Sequence, residues 1–154
     1  MIITPTDKQS KAIKDIIAWY TGNEFNGKDP NRIFTLSGLA GSGKSSVVKL
    51  FIEELGLTNN EVAFAAYTGM AANVLLQKGN TGATTIHKLI YDTVPIKNEE
   101  TGEIEKFIHQ LKEELDRKEI KLIVIDEVSM VNESMLEQLK TFGVKIIAIG
   151  DPGL

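Results

Sequence analysis

The stretch Ser37-Gly38-Leu39-Ala40-Gly41-Ser42-Gly43-Lys44-Ser45-Ser46 constrains this chain more than any other. The apolar run Ile33 to Leu36 precedes it and Val47-Val48-Lys49-Leu50-Phe51-Ile52 follows, an order that predicts strand, glycine-rich turn and helix. Gly38 and Gly43 stand at phosphate-loop spacing, with Lys44 and Ser45 directly after. Glycines let main-chain N–H groups turn inward around an anion, and the following helix directs its positive end at the same point. The stretch therefore predicts an ATP site in which Gly38, Gly41, Ser42, Gly43 and Ser46 form the cradle. Lys44 would reach the β- and γ-phosphates, and the Ser45 hydroxyl would ligate Mg²⁺. The competing reading is an ordinary glycine-rich strand-to-helix turn.

At 154 residues the chain is one domain by length, with room for a core. It has no cysteine, which excludes disulfides and cysteine-ligated metals. No apolar run reaches the roughly 20 residues of a membrane span, and Met1 to Ser10 lack a signal-peptide pattern. The expected setting is cytoplasmic, without a membrane partner. A net charge of −4 argues against a broad basic face that grips nucleic acid. Any contact with DNA would be local, or completed by elements outside this chain.

Thr6 and Gln9 have capping-box spacing, and Ala12, Ile13, Ile16, Ile17 and Tyr20 recur at helical intervals, predicting a helix from about Asp7 to Tyr20. Strands are expected over Ile33 to Ser37, Glu61 to Tyr67, Lys121 to Ile125 and Val144 to Ile149. Helices are expected over Gly43 to Leu55, around Ala71 to Leu76, near Thr85 to Ile90 and over Asn132 to Thr141. Between Tyr91 and Glu119, two short runs flank Asn98-Glu99-Glu100-Thr101-Gly102, which predicts a hairpin; Leu111 and Leu115 predict a helical turn after it. The mixed, acid-leaning charge there reads as a solvated insert over 91–119. Strand–helix alternation implies an α/β fold with a central, mainly parallel sheet and ligands at the strands' carboxyl ends.

Asp126-Glu127 follows the continuous apolar run Leu122 to Ile125. An acidic residue at the tip of a buried strand is placed to hold the Mg²⁺ that bridges the terminal phosphates of ATP. A second carboxylate directly after it is placed to take a proton from attacking water. Asp126 is thus the expected metal residue and Glu127 the expected general base; a solvent-exposed acidic turn is the alternative.

Together these motifs resemble superfamily-one DNA helicases of the RecD-like (exonuclease V alpha subunit) and Dda-like branch, over essentially the whole chain. The match is to their first RecA-like motor domain, a three-layer P-loop NTPase fold. Thr6-Asp7-Lys8-Gln9 resembles that branch's Thr-x-x-Gln element, which implies that Gln9 reads the adenine edge as well as capping its helix. Ala66-Tyr67-Thr68-Gly69-Met70-Ala71-Ala72 and Thr84-Thr85-Ile86-His87-Lys88-Leu89 resemble segments on the single-strand path, implying DNA contacts from Thr68 and His87. Both residues also fit a simpler role as helix-start residues packed on the sheet. Val124-Ile125-Asp126-Glu127-Val128-Ser129-Met130 is similar to the branch's Asp-Glu-x-Ser-Met signature, and Gly150-Asp151 to the start of its next motif. Tyr67, Met70 and Leu154 depart from the family pattern, which commonly has proline, a basic residue and a γ-phosphate-sensing glutamine there. Met130 reads as core, and His109 and Trp19 as structural.

The resemblance implies binding and turnover of ATP to ADP with Mg²⁺, and movement on single-stranded DNA. It also implies a longer helicase whose second RecA-like domain is missing from this chain. Alone, the domain is expected to bind nucleotide without unwinding and to hold DNA weakly or not at all. The rival enzyme class is a P-loop kinase acting on a small molecule, which would need a basic lid; the chain has only Arg32 and Arg117. A nucleotide-dependent interaction module is the non-catalytic alternative.

Overall fold

The computed structural model describes residues 5–22, 33–37 and 43–150, apart from the side chain of Ser45. The chain opens with helix α1 (Asp7–Thr21), whose start is set by Thr6. The Gln9 N–H donates to Thr6 Oγ1 at 3.2 Å and the Thr6 N–H donates to Gln9 Oε1 at 2.9 Å, so the capping box is closed. Strand β1 (Ile33–Leu36) and helix α2 (Gly43–Leu55) follow. Gly56, with φ +69°, ends α2; the Leu57 N–H reaches back to the Ile52 carbonyl at 3.1 Å, the left-handed exit that glycine permits. Then come β2 (Val62–Ala66), α3 (Gly69–Gln77), β3 (Thr84–Thr85) and α4 (Ile86–Ile90). Strands β4 (Tyr91–Lys97) and β5 (Ile104–Leu111) form a hairpin. Strand β6 (Leu122–Asp126), a 3₁₀ turn (Val128–Met130), helix α5 (Glu133–Lys140) and β7 (Lys145–Ile149) complete the described chain.

The central sheet has five strands in the order β1-β7-β6-β2-β3, every neighbouring pair parallel. Its middle strands are apolar on both faces because helices cover both. Leu122 and Val124 of β6 pack with Ile13, Val47 and Phe51 of α1 and α2. Ile123 and Ile125 face the other way, onto Ile86, Ile90 and Leu139 of α4 and α5. Phe64 of β2 touches both the α2 cluster and the cluster formed by Ala72 and Leu75 of α3. Helix α3 therefore lies beside α2 on one face, while α4 and α5 cover the other. This is the three-layer α/β arrangement of a P-loop NTPase. Phe51 is fully buried, and truncating it to alanine would destabilise the fold by about 3–5 kcal/mol.

The hairpin turn is held by Asn98, whose Oδ1 accepts from the Glu100 and Thr101 N–H groups, and by Gly102 at φ +73°. Two expectations are corrected. No helical turn follows Leu111, because Leu111 is consumed in the ladder opposite Tyr91. Residues 112–121 then run without a helix or strand and drop Leu115 and Ile120 singly into the core. Met130 is not core either: it is 53% exposed, because the 3₁₀ turn directs Val128 and Val131 inward instead.

Candidate nucleotide site

The register brings the carboxyl ends of the strands into one row. Leu36 is paired with Ile149, Ile125 with Ala148, Asp126 with Ala66, and Ala66 with Thr85. Everything that leaves these strands therefore emerges on a single edge: Ser37 toward the glycine-rich stretch, Glu127 after β6, Tyr67-Thr68 after β2 and Gly150 after β7.

Asp126 and Glu127 form a sharp elbow on this edge. Glu127 is the sole non-glycine residue with positive φ among the described residues, at φ 58° and ψ 51°. A left-handed conformation at a residue bearing a Cβ carries strain of about 1–2 kcal/mol. The Asp126 carboxylate steadies the elbow, its Oδ1 accepting the Glu127 N–H at 3.0 Å. Gly150 packs behind it: with φ +120°, a Cβ there would lie 3.4 Å from the Val128 nitrogen and 3.8 Å from the Glu127 Cα. The result is a half-buried Asp126 next to an exposed Glu127.

The start of α2 supplies the other side. Lys44 and Ser46 are half-buried in its first turn. Gln9 of α1 reaches this turn, its Nε2 donating to the Gly43 carbonyl at 3.3 Å. A cavity of about 530 Å³ runs between α2 and α3, with Ser46 and Lys49, Phe64 and Val124, Lys78 and Asp126 among its walls. Ser46 and Asp126 thus border one space. Gly38, Gly41 and Ser42 lie outside the described residues, as do Asp151 and Leu154; Ser45 is placed in α2 by its backbone.

Asp126 fits a magnesium role by chemistry. It offers a hard oxygen donor at a strand tip, and Mg²⁺ is typically held by one or two carboxylates together with substrate phosphates and waters.

Thr68 caps α3, its Oγ1 accepting the Ala71 N–H at 3.1 Å. His87 sits in α4 within a group of rings formed with Tyr67, Tyr91 and His109. Sequence reading missed that group, since His87 and His109 meet only once the hairpin register is known. Trp19 packs on Phe34 and lies under the Lys145 ammonium, a structural setting.

Known proteins are similar to this chain in sequence. The AAA domain family matches residues 25–153. The chain is 30% identical over 119 residues to the ATP-dependent DNA helicase RRM3 of Saccharomyces cerevisiae, covering 75% of this chain and 15% of that protein. It is 30% identical over 128 residues to the ATP-dependent DNA helicase dda of Enterobacteria phage T4, covering 80% of this chain and 28% of that protein. An uncharacterised protein of Acanthamoeba polyphaga mimivirus is 35% identical over 152 residues, covering 84% of this chain and 30% of that protein. The chain spans less than a third of the length of each of these relatives. It belongs to the AAA domain family, and within it the chain matches the motor-domain region of superfamily-one DNA helicases.

Proposed function

We propose that this domain binds Mg-ATP and hydrolyses it as the first motor domain of a helicase that moves along single-stranded DNA. The observation that carries the reading is the shared edge: the start of α2, the Asp126-Glu127 elbow and the Gln9 amide converge where the parallel strands end.

In this account Gly38, Gly41, Ser42, Gly43 and Ser46 wrap the phosphates, and Lys44 holds the β- and γ-phosphoryl oxygens. Ser45 and Asp126 hold the magnesium ion, which when bound neutralises charge developing on the terminal phosphates. Glu127, presented by its left-handed backbone, orients the attacking water and accepts its proton. Gln9, in the first turn of α1 and bonded to the first turn of α2, reads the adenine edge. Thr68, which follows the neighbouring strand β2, contacts the DNA backbone, and His87, which follows β3 at the sheet edge, lies on the single-strand path. A second RecA-like domain supplies the transition-state arginine, a contribution worth roughly 10³ to 10⁵ in rate in related phosphoryl transfers. This chain alone therefore binds ATP and ADP, turns ATP over slowly and unwinds nothing.

ATP turnover with and without single-stranded DNA, on a protein carrying both motor domains, tests the reading. Strong stimulation is the expected result. Turnover that ignores DNA and requires a small-molecule acceptor would instead mean a kinase, and binding without turnover would leave an interaction module.

A further inference from the structure

Neighbouring strands deliver the parts of the nucleotide site. In the sheet order β1-β7-β6, β1 leads into the glycine-rich stretch, β6 ends at the Asp126-Glu127 elbow, and β7 runs between them. Gly150 is the first residue beyond β7 and therefore stands between the two. On one side its N–H donates to the carbonyl of Leu36, the last residue of β1, at 3.1 Å. On the other side it meets the elbow. A Cβ added to Gly150 would lie 3.4 Å from the Val128 nitrogen, 3.7 Å from Val128 Cγ1 and 3.8 Å from the Glu127 Cα.

The elbow needs such a neighbour. At φ 58°, Glu127 holds a conformation that a residue bearing a side chain keeps only where its surroundings over-determine it. Asp126 Oδ1 accepts the Glu127 N–H at 3.0 Å, and the Glu127 carbonyl accepts the Met130 N–H at 3.0 Å. Both bonds are local to the chain around the elbow and travel with it. Gly150 belongs to a different strand, so its contact ties the elbow to the rest of the sheet, and through Leu36 to the strand that enters the phosphate loop. Space alone does not demand glycine here, since a methyl group would find ordinary contact distances. The backbone does: φ +120° is a conformation that L side chains rarely adopt. An alanine would have to rotate out of it. With the Val128 nitrogen already at contact distance, that rotation shifts either the elbow or the bond to Leu36.

We propose that Gly150 is a positioning residue for hydrolysis, holding the Glu127 elbow in place against the strand that enters the phosphate loop. The proposal rests on the reading of Glu127 as general base and adds Gly150 to it, with Val128 as the surface on which Gly150 bears.

The test is ATP affinity and turnover of Gly150→Ala, Glu127→Gln and the double variant, in a protein carrying both motor domains. Gly150→Ala should bind ATP as wild type does and turn it over about ten- to a hundredfold more slowly, the scale of a catalytic group displaced by about 1 Å. In the Glu127→Gln background the same substitution should cost no further turnover, because effects that run through one group do not add. Val128→Ala, which removes the methyl groups behind Gly150, should show the same pattern more weakly, and it replaces Gly150→Ala in every comparison if that variant does not fold. Wild-type turnover in Gly150→Ala beside an inactive Glu127→Gln would overturn the positioning role and leave the general base in place. So would a loss of turnover that repeats in full on top of Glu127→Gln. A loss of ATP affinity as large as the loss of turnover would also overturn it, because the effect would then lie at the phosphate loop through Leu36. Glu127→Gln as active as wild type would overturn both readings.

Discussion

The Gln9 side-chain amide donates to the Gly43 carbonyl across 3.3 Å, joining two residues 34 apart in sequence. The same side chain accepts the Thr6 N–H through Oε1. One residue therefore fixes the start of α1 and touches the first turn of the phosphate-loop helix.

These two roles separate by mutation. Gln9→Glu keeps an acceptor for Thr6 but has no donor for Gly43, whereas Gln9→Ala loses both. Gln9→Ala should lose about 1 kcal/mol of stability together with nucleotide affinity; Gln9→Glu should lose only the affinity. Thermal unfolding and ATP titration of both variants check this. Wild-type affinity in Gln9→Glu would show that the side chain merely caps.

The left-handed backbone at Glu127 makes a second prediction. At ordinary helical positions glycine is less stable than alanine by about 1 kcal/mol; at φ 58° the order should reverse. Glu127→Gly should therefore be more stable than Glu127→Ala by about 1 kcal/mol in urea unfolding, although neither variant hydrolyses ATP. The ordinary order would mean that the elbow is unstrained.

At the opposite edge, Lys121 and Glu61 form an ion pair at 2.7 Å where β2 and β6 begin. The Lys121 ammonium and then the Thr58 N–H lower the Glu61 pKa from 4.5 to about 2, and Lys121 is correspondingly raised by Glu61. A carboxylate whose folded pKa lies below its unfolded value stabilises above the unfolded pKa and loses that contribution as pH falls through the folded one. The stability gap between wild type and Glu61→Gln should be full near pH 7 and shrink as pH falls from 4.5 toward 2. Urea unfolding across that window measures it. A gap independent of pH would mean that the pair contributes nothing through charge.

Much of this architecture was legible because strong local signals agreed with the fold. The unbroken run Leu122 to Ile125 has the pattern of a strand covered on both faces, and that pattern places Asp126-Glu127 at a carboxyl end. Thr6 and Gln9 marked the start of α1 because a capping box is a local device. What escaped is non-local or too short to carry a period. Thr84–Thr85 is a strand of two residues, recognisable only by its pairing with Ala65 and Ala66. The positive φ at Glu127 arises where Gly150 packs behind the elbow, a contact between distant segments. Leu111 and Leu115 had helical spacing, yet the ladder claimed one and the core the other. His109 met His87 only through the hairpin register, so its ring gave no signal in sequence.

The central claim is that Glu127 activates water at a nucleotide held by the α2 turn. ATP hydrolysis and ATP affinity of Glu127→Gln, measured side by side with wild type, test it most directly. The account predicts wild-type affinity with hydrolysis reduced by about a hundredfold or more, the scale of a lost general base. Hydrolysis equal to wild type at undiminished binding would contradict it.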